Sequence, residues 1–218
     1  MRLATAVYLI VAVINLYAQF VGDQNLNQFT KPVLMPALIY LVFLRSKGFI
    51  NLPRLLLALA LIFAWIGDLL LLNQNDEMFF LGGLGSFLVM QILYCIIFFK
   101  SMHEPQLPKR SYTGSSIIAF AVITYFIYQY AGDMWLAVAI YALTILAMLL
   151  FAFNRNELTS LKSFRYVLAG ALLFVISDSL IGINKFIFEI PKASFLIMLT
   201  YIPAQYLITS GILEDKES

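Results

Sequence analysis

The stretch FAWIGDLLLL, residues 63–72, sets one aspartate, Asp68, behind Gly67 inside an otherwise unbroken apolar run. A second stretch, LLFVISDSLIGI at 172–183, does the same with Ser177 and Asp178. Runs of this kind recur along the chain, and a helix that crosses a bilayer needs roughly 20 mostly apolar residues. The composition agrees: 62% of the 218 residues are hydrophobic and 12% are charged, with a mean hydropathy of +0.89. A soluble domain is about half apolar and about a quarter charged. The sequence therefore reads as an integral membrane protein.

Breaking the chain at its polar, proline and glycine clusters predicts spans at 3–21, 32–45, 54–72, 78–100, 112–130, 134–153, 164–183 and 194–212. This is an all-α, polytopic bundle of about eight transmembrane helices, forming a single transmembrane domain over 1–218. The second span, after Lys31-Pro32 and with Pro36 inside it, either starts before Pro32 or is a short helix shielded by its neighbours. One Arg ahead of the first apolar run resembles a signal peptide, but no small-x-small cleavage site follows, so the run is read as a retained helix. Links such as NQNDE and QYAGD are brief, which confines function to the bundle and its mouths.

Cytoplasmic loops are enriched in Lys and Arg near helix ends. With eight spans, one side holds Arg2, Arg45, Lys47, Arg54, Lys100, Lys109, Arg110, Arg155, Lys162, Arg165 and Lys216, which leaves only Lys31, Lys185 and Lys192 of the 14 basic residues for the other. Both termini are therefore expected in the cytoplasm. The short loops and the lack of retention signals point to a bacterial-type inner membrane. Helices 3 and 7 then run outward, and at about 1.5 Å of rise per residue their acids reach similar depth in the outer third of the membrane. Asn15, Lys31 and Lys185 belong to that same half. Each four-helix half carries its acid on its third helix, but the halves share little else, and no duplication is inferred.

An aspartate near the centre of a membrane helix costs about 2.5 to 3.5 kcal/mol on insertion scales and normally faces the bundle interior or a wet cavity. One reading is structural: each acid is hydrogen-bonded to a neighbouring helix, with Gly67 and Ser177 allowing close approach. The other is functional. Loss of water disfavours a charged carboxyl, and two carboxyls sharing a site disfavour double ionisation. One of the pair can then act as a general acid while the other stays ionised as a base or a stabiliser of positive charge.

Other chemistries find less support. The basic residues are too scattered for nucleic acid. The single cysteine, Cys95, reads as a small packing residue. The only histidine, His103, falls in the loop SMHEPQLPKR, so neither a histidine metal centre nor a Ser-His-Asp triad is indicated. The GGLGS run at 82–86 follows no strand and reads as close helix packing rather than a dinucleotide loop. No metal or cofactor is called for.

The segments TKPVLMPAL at 30–38, IFAWIGDLLLL at 62–72, GGLGSFLVMQILY at 82–94, YALTILAML at 141–149, GALLFVISDSLIGINKF at 170–186 and YIPAQYLITSGIL at 201–213 resemble, in order and spacing, the YhhN-like integral membrane proteins that include the lysoplasmalogenases. The resemblance implies an eight-helix hydrolase that cleaves the vinyl-ether bond of a lysophospholipid substrate, releasing a fatty aldehyde and a glycerophospho-headgroup. It carries to Lys31, Asp68, Tyr94, Tyr141, Asp178, Lys185, Tyr201 and Gln205. One departure is Gln91, where relatives are expected to have histidine.

The implied chemistry suits these residues. Vinyl ethers hydrolyse by protonation of the carbon distal to oxygen, and water then traps the resulting oxocarbenium ion. Asp68 and Asp178 fit the roles of acid and cation stabiliser, in an order the sequence leaves open, much as paired carboxyls serve glycosidases. Lys31 and Lys185 are candidates for the substrate phosphate, or simply snorkel at helix ends. Asn15, Ser177, Tyr94, Tyr141, Tyr201 and Gln205 are further candidates for substrate binding, or interhelical hydrogen bonds. Apolar side chains would line a slot for the hydrocarbon chain. A proton-coupled transporter using the same acids is the main alternative, and a non-catalytic lipid-binding or structural membrane protein is the third.

Overall fold

The computed structural model describes residues 2–46, 51–73, 75–102, 104, 107–108 and 110–214. Lys47, His103, Lys109 and Lys216 lie outside them. Among the described residues the chain forms eight α-helices and no strand: α1 (Arg2–Val21), α2 (Gln24–Arg45), α3 (Leu52–Leu70), α4 (Glu77–Lys100), α5 (Arg110–Tyr130), α6 (Trp135–Asn154), α7 (Leu161–Phe186) and α8 (Ala193–Glu214). Six of them are long and apolar enough to cross a membrane; α2 and α5 are not in that set.

Side-chain caps set several starts. Asp23 accepts the Leu26 amide at 3.0 Å, Asn51 the Arg54 amide at 3.2 Å, Asp76 the Met78 amide at 2.9 Å and Ser160 the Ser163 amide at 3.2 Å, each satisfying a donor that the first helical turn leaves unpaired. The cap at Asp23 resolves the second span: α2 starts before Pro32 and runs through both prolines. Pro36 has no N–H for the carbonyl of Pro32. The indole of Trp65, on α3, donates to that carbonyl at 2.8 Å. A neighbouring helix thus replaces the backbone hydrogen bond that Pro36 removes.

The exterior is apolar and the interior carries the polar groups. Val13 is 66% exposed and Ile118 68%, whereas Asn15, Gln91 and Gln205 are fully buried and Asp68 nearly so. Exposed aliphatic side chains beside fully buried amides are the distribution expected when lipid is the solvent.

Helix α8 lies at the centre, packed against α1, α2, α3 and α7, while α4 bridges α3 and α6, and α5 rests on α6. The α7–α8 contact is the closest. A Cβ on Gly170 would stand 2.8 Å from the Ala204 carbonyl, and one on Gly211 would stand 2.9 Å from the Val167 amide. Small residues at both crossing points let the two backbones touch.

One end of the bundle is tied together by charge. Arg155, after α6 and fully buried, donates to Ser163 Oγ at 2.6 Å and to Ser101, and Ser163 donates onward to the Gly211 carbonyl at 2.7 Å. Glu214 takes Lys162 at 2.9 Å and Arg45 at 3.5 Å. Groups from the ends of α2, α4, α6 and α8 and the start of α7 meet here, on the side where the sequence gathers its basic residues. The candidate site occupies the other half.

Candidate active site

Asp68 belongs to the buried face of α3, Leu57, Leu61, Ala64 and Asp68, a spacing of three and four residues that repeats on one side of a helix. Its Oδ1 lies 3.8 Å from Lys31 Nζ of α2, and its Oδ2 accepts the Tyr201 hydroxyl of α8 at 2.9 Å. Three helices therefore meet at one carboxyl that is 2% exposed. Buried charges persist when they are paired and hydrogen-bonded; here the ammonium and the phenol supply both. Gly67 gives the site its width: a Cβ there would stand 3.0 Å from the Phe87 ring. Phe87 lies edge-on to Phe174 and Tyr201, with centroids 6.4 Å and 5.9 Å away.

Asp178 is half-buried on α7 and accepts the Tyr141 hydroxyl of α6 through Oδ2. Gln91 of α4 lies against the same hydroxyl, and Thr144 donates to the Gln91 carbonyl. The run Thr144, Gln91, Tyr141, Asp178 thus reaches across α6 and α4 to α7. The two carboxyls are near enough to interact electrostatically.

Three cavities lie around Asp178, which lines two of them, while Asp68 lines none. A polar vestibule of about 660 Å³ opens among the α1–α2 and α3–α4 links and the facing part of α7 and α8; it is lined by Gln19, Asp23, Asn27, Asp76 and Lys31, among others. A small neck of about 50 Å³ follows, bounded by Leu71, Phe80, Phe87, Tyr141, Asp178 and Ile181. Beyond it lies a groove of about 320 Å³ between α5, α6 and α7, in which Tyr141, Asp178, Tyr130 and Ser179 are the side chains with polar groups. Leu71 and Ile181 line both vestibule and neck, and Asp178, Tyr141 and Gly182 line both neck and groove. Pairs of Phe side chains, Phe80 with Phe186 and Phe87 with Phe174, span α4 and α7 and hold the neck between them.

The remaining sequence candidates fall elsewhere. Asn15 donates to Asn27 Oδ1 at 3.1 Å and Thr30 Oγ1 at 2.9 Å, behind the vestibule wall. Ser177 donates to the Ile197 carbonyl at 3.2 Å, linking α7 to α8. Tyr94 donates to Gln205 Oε1 at 2.6 Å in the core, and neither residue lines the three cavities. Lys185 Nζ stands 5.0 Å from the centre of the Phe80 ring, whereas Lys31 Nζ pairs with Asp68. The sequence reading gave no role to Gln91 or Thr144; a polar side chain three residues before Tyr94 in an apolar helix was the available signal. Cys95 is half-buried in the core of α4. No cluster of metal-ligating side chains occurs among the described residues.

The described residues form an all-helical membrane protein in which one acid, Asp178, stands between a polar vestibule and an apolar groove. It belongs to the YhhN family, whose model matches residues 26–212. It is 33% identical over 163 residues to lysoplasmalogenase TMEM86A of Bos taurus, and 31% identical over 166 residues to the Homo sapiens protein of that name, each comparison covering 72% of this chain. It is 28% identical over 186 residues to lysoplasmalogenase TMEM86B of Sus scrofa, covering 84% of this chain and 74% of that one. The matched region spans 65% of each of the two TMEM86A proteins. No solved structure gives a significant match.

Proposed function

We propose that this chain is a membrane-embedded lysoplasmalogenase, an ether hydrolase that converts an alkenyl-glycerophospholipid and water to a fatty aldehyde and a glycerophospho-headgroup. Family membership supports the activity class. The observation that carries the site assignment is the position of Asp178 on the neck, where a polar vestibule holding Lys31 gives way to an apolar groove. The vinyl ether of such a lipid sits at the corresponding junction between its phosphate headgroup and its hydrocarbon chain.

In this mechanism the Asp178 carboxylic acid gives its proton to the alkenyl carbon distal to oxygen, and the double-bond electrons form the new C–H bond. Positive charge develops on the adjoining carbon and the ether oxygen. Asp68, fixed by Lys31 and Tyr201, supplies a nearby negative charge in a medium of low dielectric constant, where such charges act strongly. Water adds to the cationic carbon and returns a proton to Asp178, and the hemiacetal breaks its bond to the headgroup oxygen. The aldehyde therefore takes its oxygen from water. Tyr141 orients the Asp178 carboxyl, and Lys31 meets the substrate phosphate at the vestibule floor.

The same reading has eight membrane-crossing helices, including α2 and α5, with both termini on the cytoplasmic side. The test is aldehyde release by protein purified in detergent and supplied with a lysoplasmalogen. Release that requires both Asp68 and Asp178 supports the reading. Proton-gradient-driven flux in proteoliposomes without aldehyde release overturns it in favour of a transporter.

A further inference from the structure

We propose that the groove between α5, α6 and α7 is a lateral portal that admits the hydrocarbon chain of a single-chain amphiphile directly from the bilayer. The inference rests on the reading above for its reaction, but its geometry stands separately. Helix α5 packs on α6, and the groove fills the space between α5 and α7. Ile123, Phe126 and Ile187 line the groove and are also 38%, 51% and 47% exposed on the outer surface. They form a rim shared by cavity and lipid. The lining runs along α7 from Val175 to Ile187, which is about 18 Å at 1.5 Å per residue.

The occupant follows from how the cavities adjoin. Vestibule, neck and groove lie side by side and share lining residues, and their polarity falls along that line from Lys31 and the amides to aliphatic and aromatic carbon. A molecule filling all three must be anionic or zwitterionic at one end and a flexible hydrocarbon at the other. A single-chain lipid satisfies both conditions without leaving the membrane, with its chain entering sideways and its headgroup turning into the vestibule.

Gly182 is the control point. It lies one helical turn beyond Asp178 on the same face of α7, lines both neck and groove, and a Cβ placed on it meets nothing within 4 Å. A larger side chain there enters the passage without striking backbone, and replacing glycine favours the helix.

The test uses the full-length protein in lipid nanodiscs with an alkenyl lysophosphocholine whose chain ends in a diazirine. Photolysis of the wild-type complex should label α5 and α7 residues around Phe126 and Ile183, and G182L should reduce that labelling at least tenfold. G182L should also lose at least tenfold in hydrolysis of long-chain substrate. Labelling confined to α1, α2 or α8, or undiminished groove labelling in folded G182L, overturns the portal. Labelling at the groove without any hydrolysis keeps the portal and overturns the reaction. Hydrolysis with labelling elsewhere does the reverse. Wild-type labelling decides the portal even where G182L fails to fold.

Discussion

Lys31 Nζ and Asp68 Oδ1 stand 3.8 Å apart, joined across α2 and α3, and the carboxyl they share with Tyr201 is 2% exposed. A pair this buried does not tolerate the loss of one partner: removing one side of a buried ion pair costs about 3–5 kcal/mol, because it strands the other charge. Lys31→Met should therefore lower thermal stability strongly, and the double variant Lys31→Met/Asp68→Asn should recover much of the loss. Melting temperatures of the three proteins in one detergent measure this. Additive losses would mean the pair is not coupled.

The Tyr141 hydroxyl is bonded to Asp178 while Gln91 lies beside it. Tyr141→Phe should lower kcat about tenfold with little change in KM, since a positioning group acts after the substrate is bound. Gln91→Leu should act in the same direction more weakly, and Gln91→Glu or Gln91→His should shift the pH–rate profile, because each brings a titrating group to the hydroxyl. Steady-state kinetics across pH check all four variants.

The carbonyl of Pro32 depends on Trp65. Trp65→Phe keeps an aromatic ring but leaves that carbonyl unpaired within the bundle, and a stranded buried polar group costs about 1–3 kcal/mol. The variant should melt earlier, and Trp65→Phe combined with Pro36→Ala, which restores the backbone donor, should melt later than Trp65→Phe alone. Thermal unfolding of the two proteins decides it.

At Gly170 a Cβ would meet the Ala204 carbonyl at 2.8 Å and the Ile208 amide at 2.9 Å. Overpacking of this kind typically costs about 1–3 kcal/mol. Gly170→Ala should destabilise the bundle, whereas Gly114→Ala, where a Cβ meets nothing within 4 Å, should be neutral or stabilising. Parallel unfolding curves compare them.

The helices were legible because a bilayer demands long apolar runs, and polar or Gly/Pro clusters interrupt them in this chain. The start of α2 was not: Lys31-Pro32 and Pro36 look like a break, and the hydrogen bond that lets the helix continue comes from Trp65, which lies 33 residues away in sequence. The end of α7 ran past 183 to Phe186 because the polar residues Asn184 and Lys185 sit on a helix end that is still packed. The nearness of Lys31 to Asp68 was readable from matched depth on helices 2 and 3. Matched depth equally suggested Lys185, yet azimuth around the helix, which depth does not fix, puts it over Phe80 instead. The difference between the two acids was also hidden. Asp68 is held by Lys31 and Tyr201 and lines none of the cavities, whereas Asp178 lines both neck and groove.

The proposed function depends most on proton delivery from Asp178 to carbon. The most direct measurement is aldehyde release by purified Asp178→Asn, with its folding verified against the wild-type melting curve and its product formed in heavy water. General acid catalysis contributes about 10²–10⁴-fold. Asp178→Asn should lose at least 10²-fold, with wild-type product carrying one deuterium on the aldehyde carbon next to the carbonyl and the headgroup product keeping its ether oxygen. Undiminished turnover by a folded Asp178→Asn protein would contradict it.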